Sequence, residues 1–261
     1  RHAMCRLTAY VGPEIPLDRL IFGGDHSLLK QSYAAQELRS GTVNVDGYGI
    51  AWFPAANPVR IAEARPVWHD PDLGPVLSSI EGPVALAAVR SATPGIPVDR
   101  NAVAPILHDR WAFALNGFVW DFRTSAMRSM RQDLPDHLYA ALSGVSDTET
   151  LFLTAVTALE RGASLADGLR HAFDASLAAA AQGGVAAQLN LAITDGEGVA
   201  FTRGSNGPDP NSLYWTSESS VAPGGTLVAS EPLTPEDPWA PVPEGHVISL
   251  RMGEAPVIEP I

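Results

Sequence analysis

The sequence predicts an α+β protein in which antiparallel sheets are covered by helices. Strand-like segments predominate in residues 5–119, an Ala- and Leu-rich block with helical spacing covers 134–181, and strand-like patterning returns from 189 onward. Strands, then helices, then strands differ from the regular βαβ alternation of parallel sheets. Two antiparallel sheets sandwiched between helices accommodate this order, and the pattern leaves two adjacent domains open.

The individual elements follow from local patterns and from punctuation by Gly and Pro. Strands are predicted at 5–11, 48–53, 60–67, 84–91, 111–119, 189–194, 199–202, 213–216, 226–229 and 246–250. Helices are predicted at 27–35, 72–80, 134–142, 147–159 and 164–181, with Ser27 and either Ser146 or Asp147 as N-caps. Asn116-Gly117 interrupts one strand and predicts a hairpin if its flanks pair.

Composition excludes several function classes. The 261 residues carry a net charge of −12 and show no basic face, which argues against a nucleic-acid partner. No apolar stretch reaches about 18 residues, so no membrane span is expected. A single cysteine excludes an intramolecular disulfide framework and is typical of proteins of the cytoplasm.

Neither a metal nor an organic cofactor is expected. The seven histidines lack metal-ligand spacing, and His69-Asp70 and His108-Asp109 are interpreted as turn or surface pairs.

Cys5 is the candidate nucleophile. Arg1-His2-Ala3 ahead of Met4 is interpreted as a vector remnant before a start methionine, with a genuine short leader as the alternative. Removal of Met4 would leave Cys5 with a free α-amine, which can accept the proton of its own thiol. The ordinary alternative is a small buried apolar residue in a first strand.

Three further segments offer polar groups where elements end or begin. Arg90 ends an apolar strand, Asn116-Gly117 lies at the end of another, and Asp147 opens a helix. Each has an ordinary alternative: a surface ion pair for Arg90, a hairpin turn for Asn116-Gly117, and a helix cap for Asp147.

Taken in order, these segments resemble the class II glutamine amidotransferases, over nearly the whole chain from Met4 to about Leu250. The resemblance is carried by Met4-Cys5-Arg6, Gln31-Ser32-Tyr33, Asn44-Val45-Asp46-Gly47-Tyr48-Gly49, Leu86-Ala87-Ala88-Val89-Arg90-Ser91-Ala92-Thr93, Asn101-Ala102, Leu115-Asn116-Gly117, Leu189-Asn190 and Ala229-Ser230-Glu231-Pro232. Within this family, the chain resembles a branch of hydrolases that act in bacterial ergothioneine biosynthesis.

The resemblance implies a four-layer αββα sandwich, the N-terminal-nucleophile hydrolase fold, formed by one domain over residues 5–261. It implies that Cys5 cleaves a γ-glutamyl amide through a thioester, with the Asn116 amide and the Gly117 N–H as oxyanion donors. Arg90 and Thr93 would bind the α-carboxylate of the substrate, and Asp147 its α-ammonium. The family commonly has His where this chain has Leu115, a side chain expected on the opposite face of the strand.

The implied substrate is γ-glutamyl-hercynylcysteine sulfoxide, whose leaving group carries a trimethylammonium. Aromatic faces attract such a cation, and Trp68 and Trp239 lie in predicted loops beside acids, although core packing is the ordinary role of Trp. Two other functions stay open: a glutaminase subunit that supplies ammonia to a partner synthase, and a catalytically silent γ-glutamyl-binding module. A homo-oligomer is compatible with the sequence.

Overall fold

The computed structural model describes residues 4–38, 43–91 and 99–261. Its strands are β1 (Arg6–Pro16), β2 (Gly47–Trp52), β3 (Val59–Glu63), β4 (Glu81–Arg90), β5 (Ile106–His108), β6 (Trp111–Val119), β7 (Ala187–Thr194), β8 (Gly198–Arg203), β9 (Tyr214–Thr216), β10 (Thr226–Ala229), β11 (Ala240–Pro241), β12 (His246–Arg251) and β13 (Val257–Pro260). Its α-helices are α1 (Arg19–Phe22), α2 (Leu28–Ala34), α3 (Leu73–Ser78), α4 (Phe122–Ser125), α5 (Met127–Gln132), α6 (Asp136–Ala140), α7 (Asp147–Leu159) and α8 (Leu165–Gln182).

The strands form two antiparallel sheets. The seven-stranded sheet has the order β11-β9-β10-β1-β4-β2-β3, and the six-stranded sheet has the order β13-β12-β8-β7-β6-β5. Strand β1 lies inside its sheet, where it pairs with β4 on one side and β10 on the other. Its first residue, Arg6, pairs with Val89, so the residue before it comes next to the end of β4.

Side chains alternate across each sheet and build three apolar layers. Leu7 and Ala9 of β1 face the other sheet and pack in the layer between the two sheets, while Tyr10 packs under α1, α2 and α3. On the six-stranded sheet, Ala114 joins the inter-sheet layer and Leu115 packs under α7 and α8. The predicted four-layer αββα sandwich is therefore confirmed.

Most predicted elements are present, and the longest helices match closely. Helix α7 begins and ends at the predicted residues, and Ser146 caps it by accepting a hydrogen bond from the N–H of Glu149 at 3.2 Å. Ser27 caps α2 in the same way through the N–H of Lys30 at 3.3 Å. The short helices α1, α4 and α5 and the strands β5, β11 and β13 were not predicted. The predicted strand at 60–67 ends at Glu63, and a 3₁₀ turn follows at Val67–His69.

The predicted hairpin at Asn116-Gly117 is wrong. Both residues lie inside β6, where they pair with Asn190 and Leu189 of β7, because a strand distant in sequence takes the place of the local turn. Gly117 has a φ of +148°, and a Cβ built there would lie 1.9 Å from the carbonyl oxygen of Gln188. The dipeptide thus reflects a close backbone approach within a sheet.

No helix in the described part of the chain combines the length and apolarity needed to cross a membrane.

Leu115 is predicted to serve packing alone. It is 4% exposed in the layer between β6 and α7, so Leu115→Ala should lower the free energy of unfolding by about 2–5 kcal/mol. Val76→Ala, at a position 43% exposed, should change it by less than about 0.5 kcal/mol. Urea denaturation of the three proteins measures this. A loss below 1 kcal/mol for Leu115→Ala would contradict the packing role.

Candidate active site

The predicted site residues converge at one end of the space between the sheets. Arg90 ends β4 on the face that Ala88 directs toward the other sheet, and Asn116 shares the inter-sheet face of β6 with Ala114. Asp147 reaches the same end from the first turn of α7. Arg90, Asn116 and Asp147 are 7%, 1% and 6% exposed, so three polar side chains are buried where a core would ordinarily be apolar.

The Cys5 thiol lies among opposite charges. The N–H of Ser91 donates a hydrogen bond to the sulfur, and both Arg90 and Arg6 favour the thiolate, while Asp147 disfavours it. Burial outweighs these attractions and raises the pKa of the Cys5 thiol above its ordinary value. The thiol therefore needs a base close by to form the nucleophilic thiolate.

Asp147 is held by main-chain donors. Its Oδ2 accepts a hydrogen bond from the N–H of Val119 at 3.0 Å, and its Oδ1 accepts one from the N–H of Thr148 at 2.8 Å. Burial raises the pKa of this carboxyl, and the two N–H donors oppose the increase. The Thr148 hydroxyl also donates to Oδ1, at 3.4 Å. The bonds fix the direction of the carboxylate, and Oδ2 keeps a lone pair for a further donor.

The Asn116 amide is also oriented by its neighbours. Its Oδ1 accepts a hydrogen bond from Asn211 Nδ2 at 3.0 Å, and its Nδ2 donates to Ser230 Oγ at 3.4 Å. An amide nitrogen carries two hydrogens, so one remains for a substrate oxygen. Gly117 follows in β6, and the close approach of Gln188 to its Cα requires glycine there.

Three further predicted residues stand apart from this group. Thr93 lies outside the described residues. Trp239 packs against the helix-side layer of the seven-stranded sheet, and its Nε1 donates to Thr234 Oγ1 at 3.4 Å. Trp68 lies in the 3₁₀ turn after β3, is 38% exposed, and meets the Tyr33 ring edge-on at a centroid distance of 5.6 Å.

Sequence reasoning assigned no role to a buried charge network beside Cys5. Arg6 is fully buried, and its Nε lies 3.0 Å from Glu231 Oε1. His26 Nε2 lies 2.6 Å from Glu231 Oε2, and the N–H groups of Gln36 and Glu37 donate to the same carboxylate at 2.8 and 3.0 Å. Burial favours the neutral acid, but these partners prevail and hold the pKa of the Glu231 carboxyl below its usual value. The available signal was a charged residue next to each of two apolar segments: Arg6 at the start of β1 and Glu231 after β10.

A cavity of about 590 Å³ adjoins the amino end of α7. Ser146 and Thr148, the neighbours of Asp147, contribute to its wall, together with Arg60, Asp99 and Asn101 from the facing segments. This volume is in the range of small-molecule sites.

Among the described residues, the side chains of His108, Asp109 and Glu160 bring possible metal ligands within 4.8 Å of one another. They lie at the surface, and Glu160 is also 2.9 Å from His137 Nε2. None of them belongs to the group around Cys5.

The chain is similar to curated proteins over almost its full length. A γ-glutamyl-hercynylcysteine sulfoxide hydrolase of Mycolicibacterium smegmatis is 28% identical over 251 residues, which are 95% of this chain and 96% of that protein. Among solved structures, a glutamine aminotransferase class-II domain protein from Silicibacter pomeroyi superposes with a TM-score of 0.71 at 24% identity and covers 98% of this chain and 99% of its own. No family model matches the sequence. The predicted resemblance to the class II glutamine amidotransferases is confirmed.

The fold extends to larger enzymes. A glutamine phosphoribosylpyrophosphate amidotransferase from B. subtilis superposes with a TM-score of 0.64 at 16% identity over 98% of this chain, which corresponds to 49% of that protein. The prediction of an amidohydrolase agrees with the hydrolase names of the curated relatives.

Proposed function

We propose that this chain is a γ-glutamyl hydrolase whose nucleophile is Cys5. The observation that carries the proposal is the convergence of the thiol, a buried cation and a buried anion at one end of the inter-sheet space. The glutamyl end of a substrate carries an α-carboxylate and an α-ammonium. Arg90 binds the carboxylate and Asp147 binds the ammonium, with the Thr93 hydroxyl as a further donor to the carboxylate.

The reaction proceeds in two steps. The Cys5 thiolate attacks the δ-carbonyl, and the Asn116 amide and the Gly117 N–H stabilise the oxyanion, an effect worth about 3 kcal/mol per donor. The α-amine of Cys5 takes the thiol proton and passes it to the departing amine, which leaves a glutamyl thioester. Water, deprotonated by the same α-amine, hydrolyses the thioester and releases glutamate.

The proposed substrate is γ-glutamyl-hercynylcysteine sulfoxide, which the names of the curated relatives specify for those proteins. The reaction needs no cofactor, and we place the protein in the cytoplasm, as a monomer or homo-oligomer.

Substrate choice is tested with protein that starts at Cys5. Glutamate release from γ-glutamyl-hercynylcysteine sulfoxide should exceed release from glutamine by at least about 100-fold in kcat/KM, because the leaving-group contacts are absent in glutamine. Cys5→Ala should release none. Preference for glutamine would favour an ammonia-supplying subunit, and no release from either compound would favour a binding module.

The chain with Arg1 to Met4 attached is predicted to be inactive or nearly so. Its Cys5 nitrogen is an amide, which is no base, and the Met4 side chain beside it is 1% exposed. Loss of the general base should lower turnover by about 100-fold or more. Because burial raises the pKa of the thiol, the residual rate should keep rising with pH above the ordinary thiol range. Equal rates for the two forms at pH 7.5 would refute the role of the α-amine.

Trp68 is proposed to contact the trimethylammonium of the leaving group. Gly47 of β2 pairs with Arg90, and β3 ends at Glu63, so the turn that carries the exposed Trp68 ring follows a strand end close to Arg90 in the sheet. Trp239 is also assigned to this contact, although its packing against the apolar layer favours a structural role.

Two substitutions separate these roles. Trp68→Ala should raise KM for the sulfoxide about 3- to 30-fold through loss of a cation–π contact, and leave KM for glutamine within about twofold. Trp239→Ala should instead lower the free energy of unfolding by about 3 kcal/mol. Steady-state kinetics with both compounds and urea denaturation measure the two effects. Equal changes in KM for both compounds would count against Trp68 as a leaving-group contact.

A further inference from the structure

Two residues that directly follow β10 connect the nucleophile to the rest of the site. The N–H of Ser230 donates to the carbonyl of Leu7 at 2.9 Å, and the N–H of Leu7 donates back to Ser230 Oγ at 2.9 Å. The same hydroxyl oxygen accepts the hydrogen bond from Asn116 Nδ2. One oxygen atom therefore joins the strand that begins beside Cys5 to the oxyanion residue on the other sheet.

Glu231 holds Arg6, the residue between Cys5 and Leu7 at the start of β1. Its carboxylate binds Arg6, and Arg6 Nη1 in turn donates to the carbonyl of Cys5 at 3.2 Å. The opposite oxygen binds His26 and the N–H of Gln36, so the carboxylate is fixed from the side of α2. Arg6 and Glu231 are 0% and 1% exposed, and the chain of contacts is shielded from water.

Stability alone does not account for this arrangement. Replacing a buried ion pair with apolar residues of similar volume is often neutral or stabilising. The contacts instead converge on three consecutive residues, Cys5 to Leu7. A displacement of this segment would move the Cys5 thiol relative to the groups with which it reacts. A displacement of about 1 Å between reacting groups can cost on the order of 100-fold in rate.

We propose that Ser230 and Glu231 are positioning residues that hold the Cys5 thiol at a fixed distance from Asn116. Ser230 links the two sheets at the site, and Glu231 acts through Arg6 on the main chain of Cys5. The effect on turnover rests on the proposed function, whereas the effect on the thiol does not.

The test compares Ser230→Ala and Glu231→Gln with two controls, all starting at Cys5. Asp237→Asn removes another ordered carboxylate near β10, one that binds Ser219, Ser220 and Thr234. Leu169→Ala removes a fully buried side chain in α8, far along the chain from the site. It controls for effects that follow from a general loss of stability. Two quantities are measured: kcat and KM for glutamate release, and the rate at which iodoacetamide alkylates the protein's single cysteine.

The two positioning variants should show kcat lowered by about tenfold or more, with KM within about threefold because Arg90 and Asp147 are unchanged. Their alkylation rate should rise about threefold or more, because a released thiol is more accessible. Both controls should stay within about twofold of the parent in both measurements. Alkylation rates equal to the parent would overturn the proposal, whatever the turnover. Faster alkylation in a protein whose parent releases no glutamate would uphold the proposal and refute the proposed function.

Discussion

The position of β1 is the constraint on which the site depends. The strand pairs with β4 along its length and with β10 over residues 8–11, and it contributes to the apolar layers on both faces of its sheet. Its first residue is Arg6, so Cys5 directly precedes the strand, and the position of the strand determines the position of Cys5. The end of β4, which carries Arg90, is brought beside Cys5 by the same register. Strand pairing thus sets the positions of both the proposed nucleophile, Cys5, and the Arg90 cation.

Burial of the thiol has a cost that the rest of the site must offset. Desolvation raises its pKa, and two cations and a main-chain donor recover part of the effect. Asp147 acts in the opposite direction, so the anion that suits an ammonium group also disfavours the thiolate. A base placed on the nucleophilic residue itself removes the need for a buried histidine beside the thiol. The proposed α-amine base would supply what the charges around the thiol leave incomplete.

Sequence patterns predicted the elements whose apolar periodicity and end signals lie within one continuous segment. Helix α7 was predicted residue by residue because its apolar period and its Ser146 cap agree. The strand over 111–119 was predicted, but the conditional hairpin at Asn116-Gly117 does not form, because local propensity carries no information on the distant partner β7. A charge beside an apolar segment marked Glu231, but the roles proposed for Ser230 and Glu231 could not be inferred locally, because their partners Leu7 and Arg6 lie more than 220 residues away. Arg90, Asn116 and Asp147 were found because each lies close to the end or the beginning of an element, and the fold does bring them together.

The two halves of the proposed substrate meet different parts of the fold. Of the described residues assigned to the glutamyl half, Arg90 ends a paired strand, and Asp147 lies in the first turn of a helix, where main-chain donors hold it. Trp68, which is assigned to the leaving group, lies in a connecting segment, the turn after β3. Connecting segments accept substitution more readily than paired strands. Leu115 fits this division, because its side chain belongs to the helix-side layer and can differ from the family's histidine while the inter-sheet face of β6 is retained. The division explains how the fold can keep one chemistry while its specificity varies.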